Sequence, residues 1–175
     1  MSTDQIERDE AIRIKTLKSF EILDTPKDGA FDRITRIASQ FLNVPIAVIS
    51  LVDEDRIWFK STHGLDLQET EKAPGLCASA ILLDGFYSVE HASLDPRTLT
   101  NPLVVGELGL EFYAAFPLKT SNGYNLGTFC IIDQKPRQME LFEIEFLKDL
   151  RDIVMDYMEL KLQARKLALF YNSDN

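Results

Sequence analysis

Apolar residues recur along the chain with two different periods, and the places where the period changes divide it into elements. Ile6, Ala11, Ile14, Leu17 and Phe20 fall at roughly helical spacing and predict an N-terminal helix over about residues 4–22, its other faces charged. Thr25-Pro26-Lys27-Asp28 reads as the start of a second helix. Thr25 can accept an orphan N–H, Pro26 suits the first helical position, and Asp28 completes a capping pattern. Phe31, Ile34, Ile37 or Ala38, and Phe41 then line one face, and Asn43 and Pro45 stop the helix.

The period shortens at Ile46-Ala47-Val48-Ile49-Ser50-Leu51-Val52, a β-rich apolar run that predicts a central strand. Beyond the acidic bend Asp53-Glu54-Asp55, residues 56–63 alternate, with Ile57, Phe59 and Ser61 on one face and Trp58, Lys60 and Thr62 on the other. This predicts an antiparallel partner strand, more exposed than the first. Residues 64–111 carry shorter elements: a helix around 77–82, a strand near 87–89 and a polar segment, 95–102, that is the first place to look for function. Residues 112–120 and 124–133 predict a second hairpin around Asn122-Gly123, a dipeptide suited to a two-residue turn. Pro117 lacks an N–H and requires an edge position or a bulge.

The last element, over about residues 140–169, carries Leu147, Leu150, Val154, Tyr157, Lys161 and Ala164 at helical spacing, with Leu160 and Leu167 as further apolar positions. Such a helix is about 45 Å long, whereas a chain of 175 residues has a radius of gyration of roughly 16 Å. The excess length predicts a homodimer made by the terminal helices, the alternative being a kink that folds the helix onto its own domain.

With 45% of 175 residues hydrophobic and 27% charged, the composition is that of one globular domain. The net charge of -9 repels phosphate backbones and anionic lipid, so neither nucleic acid nor a membrane is an expected partner. No apolar stretch is long enough for a signal or a membrane span, which predicts a cytoplasmic location. Cys77 and Cys130 are the only cysteines and form neither a disulfide framework nor a four-ligand zinc site; they read as reduced core thiols. His63 and His91, the only imidazoles, sit in no metal-binding pattern, and no glycine-rich phosphate loop provides machinery for nucleotide hydrolysis.

Five stretches, taken in order, carry a family resemblance: Phe20-Glu21-Ile22-Leu23-Asp24-Thr25-Pro26, residues 48–61 with Asp53-Glu54-Asp55-Arg56-Ile57-Trp58-Phe59-Lys60 at their centre, Asn101-Pro102-Leu103-Val104, Phe112-Tyr113-Ala114-Ala115, and Leu126-Gly127-Thr128-Phe129-Cys130-Ile131-Ile132-Asp133. Over about residues 18–160 the chain resembles a bacterial GAF domain of the type placed before histidine kinase and diguanylate cyclase domains. The resemblance implies an α/β (α+β) fold: a central antiparallel sheet of five or six strands flanked by helices, with long N- and C-terminal helices on one face and a small-ligand pocket on the other. It implies a single GAF domain over residues 1–175, with no room for an output domain, acting as a non-catalytic sensory or regulatory module. Such a module binds a small molecule, transmits a signal through helix-mediated dimerisation, or addresses a separate effector protein. One alternative is a ligand-free dimerisation or interaction module. Another is a cysteine-dependent enzyme like the free methionine sulfoxide reductases, whose several cysteines this chain does not clearly reproduce.

Asp53, Arg56, Trp58, Phe59 and Lys60 match the family's hairpin pattern, Cys77 the cysteine before the middle helix, and Asp95, Arg97, Asn101 and Pro102 the loop pattern. The chain departs from the pattern at Ser79, where the family often has His, at Glu111, where it often has Arg, and at Ala115, where it often has Gly. Cys77 is followed by Ala78, so a bilin is not expected, and the resemblance selects no cofactor. The ligand-binding candidates are Trp58, Lys60, Cys77, Ser79, His91, Asp95, Arg97, Asn101, Phe112 and Tyr113. Lys60 or Arg97 could balance an anionic ligand, although each reads more plainly as a solvated charge. Trp58, Phe112 and Tyr113 read as pocket wall or simply as core.

Overall fold

Strand β1 (Ile46–Val52) is buried at every position, and the sheet grows outward from it on both sides. The computed structural model describes residues 3–173. β1 pairs with β2 (Arg56–His63) across the acidic bend and with β6 (Asn125–Asp133) on its other edge. β3 (Glu69–Glu71), β4 (Tyr87–Val89) and β5 (Phe112–Lys119) complete a six-stranded sheet of order β3-β2-β1-β6-β5-β4, with every pairing antiparallel.

Strand alternation sorts the apolar side chains into two cores. On one face, Leu17 and Phe20 from the N-terminal segment, Phe31 and Ala38 of α2 (Gly29–Leu42) and Leu147 and Val154 of α5 (Leu141–Ser173) cover Ile49, Leu51, Phe112 and Phe129. On the other, α3 (Leu76–Ala80), the 3-10 turn Ala92–Leu94 and α4 (Pro102–Val105) lie over Val48, Tyr113, Cys130 and Ile132. The N-terminal helix α1 (Thr3–Ser19) is tied to the sheet ends by Arg13, whose guanidinium is buried and donates to Val52 O at 2.8 Å. Glu10 completes the tie, accepting from Arg13 at 2.7 and 2.8 Å and from Lys72 Nζ at 2.8 Å.

Four sequence expectations change in detail. The second helix starts at Gly29, with Asp28 as its N-cap accepting from Ala30 N at 3.0 Å. Thr25 is unavailable as a cap because its hydroxyl donates to Ile22 O and accepts from Lys60 Nζ. On that helix Ala38 faces the core, whereas Ile37 and Phe41 are exposed, Phe41 stacking on Phe146 of α5 at 4.0 Å.

In β2 the register slips between Ile49 and Ser50: Ile49 faces Ser61 and Ser50 faces Phe59, leaving Lys60 as the extra residue of a β-bulge. The bulge aims Lys60 at Phe31 and Trp58, and Ser61, bonded to Asp32 and in contact with Thr35, also faces α2 instead of sharing a face with Ile57 and Phe59. Finally, the turn at Asn122-Gly123 is longer than two residues. Gly123 N donates back to Thr120 O, Gly123 takes φ +92°, and Thr120 N pairs with Tyr124 O, the pattern of a three-residue loop.

Pro117 sits beside a second register shift, between Pro117 and Lys119, as its missing donor requires. α5 is one unbroken helix of 33 residues, a length of about 50 Å, and it still reaches the domain at Lys161 and Arg165.

β6 and β1 approach so closely that a Cβ on Gly127 would lie 1.9 Å from Ser50 O. Gly127→Ala must therefore push two central strands apart, and a loss of about 2–4 kcal/mol is expected in denaturant unfolding. A second expectation concerns acid. Hydrogen bonds from Arg13, aided by Lys72 and opposed by burial, hold the Glu10 carboxyl at about 2. A depressed folded pKa adds stability above the unfolded value of about 4.3, and that stability is lost as pH falls toward 2. Glu10→Gln should be less stable than the parent at pH 7, with the gap closing between about pH 4 and 2 in melts across that range.

Candidate functional site

The ten candidate residues do not converge on one site, and the reason lies in strand geometry. Phe112 and Tyr113 are neighbours in β5, so they point to opposite faces. Phe112 is fully buried beneath α2 and α5, together with Trp58, while Tyr113 is fully buried beneath α3. Phe112 and Trp58 are thus core on the helix-covered face and lie away from the space beneath α3.

Beneath α3 the space is occupied by a knot of polar side chains from three strands and the helix. Tyr113 OH lies 3.3 Å from Cys77 Sγ and 3.4 Å from Thr128 Oγ1, and Thr128 Oγ1 lies 2.8 Å from Ser50 Oγ. The Tyr113 ring meets that of Tyr87 edge-on at 6.0 Å. Hydrogen bonding from Cys130, assisted by Ser50, Thr128 and Tyr113, draws the Cys77 thiol down against the effect of burial. The same contact with Cys77, together with burial, pushes Cys130 well up, and burial does the same to the Tyr113 phenol. Both thiols are free and buried, as the composition implied.

Ser79 is exposed on α3 and its hydroxyl donates to Gly75 O within its own turn, so it does not replace an inward-facing imidazole. Ala115 is buried beside Cys130 in the ladder, and Glu111 stands at the rim, 3.5 Å from His91 Nε2. Asn101 is structural at both ends: its Oδ1 caps α4 by accepting from Leu103 N, and its Nδ2 donates to Pro74 O at 2.7 Å.

His91, Asp95 and Arg97 do come together, around an open cleft of about 520 Å³ whose wall includes Ser88 and Glu90. Arg97 is engaged there through Nε and Nη2. Its guanidinium bonds Asp95 at 2.5–3.1 Å, donates to Ser88 O at 3.3 Å and lies over the Tyr87 ring. Arg97 holds the Asp95 carboxyl below its ordinary value, so this ion pair is already neutral and offers little to an anionic ligand.

Lys60 overturns its expectation as a solvated charge. It is 5% exposed and donates to Thr25 Oγ1 at 2.8 Å and Pro26 O at 2.7 Å, with the rings of Phe31 and Trp58 below. Burial lowers its pKa from the usual lysine range. Lys60 and Trp58 line a groove of about 510 Å³ along the outer edge of β2, which Asp24, Asp32 and Gln68 also border. The sequence carried one signal for this buried ammonium, its place in the Trp58-Phe59-Lys60 motif. The bulge that turns it inward depends on the partner strand and left no local mark.

The family model for the GAF domain matches residues 27–155, which include the whole sheet and both of its faces. The chain belongs to the GAF domain family. A cyclic di-GMP phosphodiesterase of Pseudomonas aeruginosa is 40% identical to this GAF domain over 137 residues, which are 78% of this chain and 23% of that enzyme. The chain thus spans about a quarter of the length of the curated relative it matches.

Among solved structures, the GAF domain of the Acinetobacter phosphoenolpyruvate-protein phosphotransferase superposes with a TM-score of 0.64 at 15% identity, covering 95% of this chain and 99% of that one. A free methionine-R-sulfoxide reductase from Neisseria meningitidis, in complex with its substrate, also gives 0.64, at 17% identity, covering 88% and 92%. At these identities the two structures share the fold alone. Membership makes this chain a GAF-type regulatory and sensory module. Among the described residues, no cluster of three or more His, Cys, Asp or Glu could hold a metal ion, and no helix is long and apolar enough to cross a membrane.

If Tyr113 OH organises the knot, Tyr113→Phe leaves a buried thiol and hydroxyl with one partner fewer. A loss of about 1–2 kcal/mol in chemical denaturation is expected, with the fold intact by circular dichroism.

Proposed function

We propose that this GAF domain works as a homodimer whose α5 helices pair and carry the signal along their axes. The spacing of exposed apolar residues on α5 supports the reading. Ile153, Leu160 and Leu167 are separated by seven residues each and are 50%, 65% and 60% exposed. A seven-residue repeat keeps one seam of a helix facing a partner over its whole length. Phe146, one heptad earlier, already packs on Phe41, so the stripe starts at the domain surface. Ile6 and Ile12 of α1 are exposed as well and enlarge the apolar area available to a second copy.

In this reading the input is a small molecule or a partner acting on the domain, and the output is a change in how the paired helices sit. The knot of Tyr113, Cys77 and Thr128 fills the space beneath α3 and favours transmission by helices over capture of a bulky ligand there. The identity shared with part of a cyclic di-GMP phosphodiesterase supports an effector that degrades a nucleotide messenger. Two free thiols fit a reducing compartment, the cytoplasm.

Sedimentation equilibrium tests the pairing. The parent should be a reversible dimer, and Leu160→Glu with Leu167→Glu should raise its dissociation constant at least about a hundredfold, because each dimer loses four buried leucines. A parent that stays monomeric at every concentration, or a double variant that dimerises equally well, contradicts the reading.

A further inference from the structure

Four cations surround a small cavity of about 290 Å³ where the α1–α2 connection crosses α5: Lys27, Lys60, Lys161 and Arg165. Asp28 is the carboxylate in its wall. Asp28 is committed: it receives Lys161 Nζ, Tyr157 OH and the N–H of Ala30. Burial opposes its ionisation, but these partners hold its carboxyl below the ordinary value, and in return Asp28 raises Lys161. One positive charge is thereby cancelled.

The other three make no direct salt bridge to a carboxylate among the described residues, although Lys60 feels the charges of Asp28 and Asp32 as well as the repulsion of Lys161 and Arg165. Lys60 donates to a hydroxyl and a carbonyl, and Arg165 donates to the carbonyls of Phe20 and Glu21. Lys27 stands exposed at the rim. Lys60 is the buried floor, 5% exposed and unable to turn to solvent. Three like charges held around one hollow repel each other, and here they do so in a chain whose net charge is -9. An anion in the hollow removes that repulsion. A guanidinium with free N–H groups and two ammonium groups present the donors that phosphate oxygens take. The volume lies at the lower limit of small-molecule sites, which sets the ligand's size.

We propose that this cavity binds the phosphate group of a small phosphorylated metabolite, or phosphate itself, with Lys60, Lys27 and Arg165 as its ligands. The site is separate from the space beneath α3 and does not depend on the dimer. Occupancy would link β2, the segment 25–28 and α5 through one anion.

Isothermal titration calorimetry of the full chain at constant ionic strength, with inorganic phosphate, glycerol 3-phosphate and succinate as probes, tests it. Saturable one-to-one binding of either phosphate probe, tighter than succinate, is expected. Lys27→Ala and Arg165→Gln, both outside the packed core, should each weaken it about tenfold or more. Lys60→Met should abolish binding, with circular dichroism reporting whether that variant folds. No saturation by either phosphate probe below about 10 mM overturns the proposal. So does affinity unchanged in the double variant Lys27→Ala with Arg165→Gln, or succinate bound more tightly than both phosphates.

Discussion

Lys60 places an ammonium inside the domain, and such a group costs several kcal/mol unless hydrogen bonds replace its water. The replacement comes from the segment 25–28, through Thr25 Oγ1 and Pro26 O, and from the faces of Phe31 and Trp58. Those contacts fix the segment against the sheet. Once fixed, it presents Asp28 both as the N-cap of α2 and as the carboxylate that receives Lys161 of α5. One buried charge thus sets where α2 begins and where α5 docks, and both follow from a single extra residue in β2.

The two faces of the sheet solve different problems. The helix-covered face is filled by large apolar groups, Phe31, Phe112, Phe129 and Leu147 among them, and its packing sets the position of the long helices. The opposite face buries polar groups that satisfy one another, Ser50 with Thr128 and Tyr113 with Cys77 and Thr128. Such a network is stable only while complete, because each member stripped of its partner pays the cost of burial alone. Side chains of this kind fix one arrangement of α3 over the sheet more narrowly than apolar contact does.

How much of this the sequence discloses depends on whether a feature is local. The strands over residues 46–52 and 87–89, the two strands of the second hairpin, the irregularity at Pro117 and the long last helix are written in periodicity and backbone chemistry, and the structure repeats them. The bulge at Lys60 is not local, because it is a mismatch between β2 and its neighbour and changes no pattern within residues 56–63. Thr25 satisfies every local rule for a helix cap, yet Lys60 claims its hydroxyl from 35 residues away. The candidate site was partly legible. The loop pattern grouped Asp95 and Arg97 with Asn101 and Pro102, whereas the cleft joins Asp95 and Arg97 to His91, and grouping Phe112 with Tyr113 runs against the period of two that the same strand displays.

The anchoring of α5 changes along its length, and this bears on how a signal travels. Leu147, Leu150, Val154 and Met158 are buried in the main core, and removing any one such side chain from a core typically costs about 2–5 kcal/mol. Beyond Met158 only Leu162 still packs against the edge of the core among the described residues, and the other ties to the domain are polar and half-exposed: Lys161 to Asp28, and Arg165 to the carbonyls of Phe20 and Glu21. Contacts of that kind contribute about 1 kcal/mol each. The first half of the helix is therefore fixed to the sheet, while the second half is held by a few ties that ordinary binding energies can outweigh. These ties lie where the segment 25–28 meets the helix, so a change at that junction reaches the stripe of Leu160 and Leu167 without repacking the core.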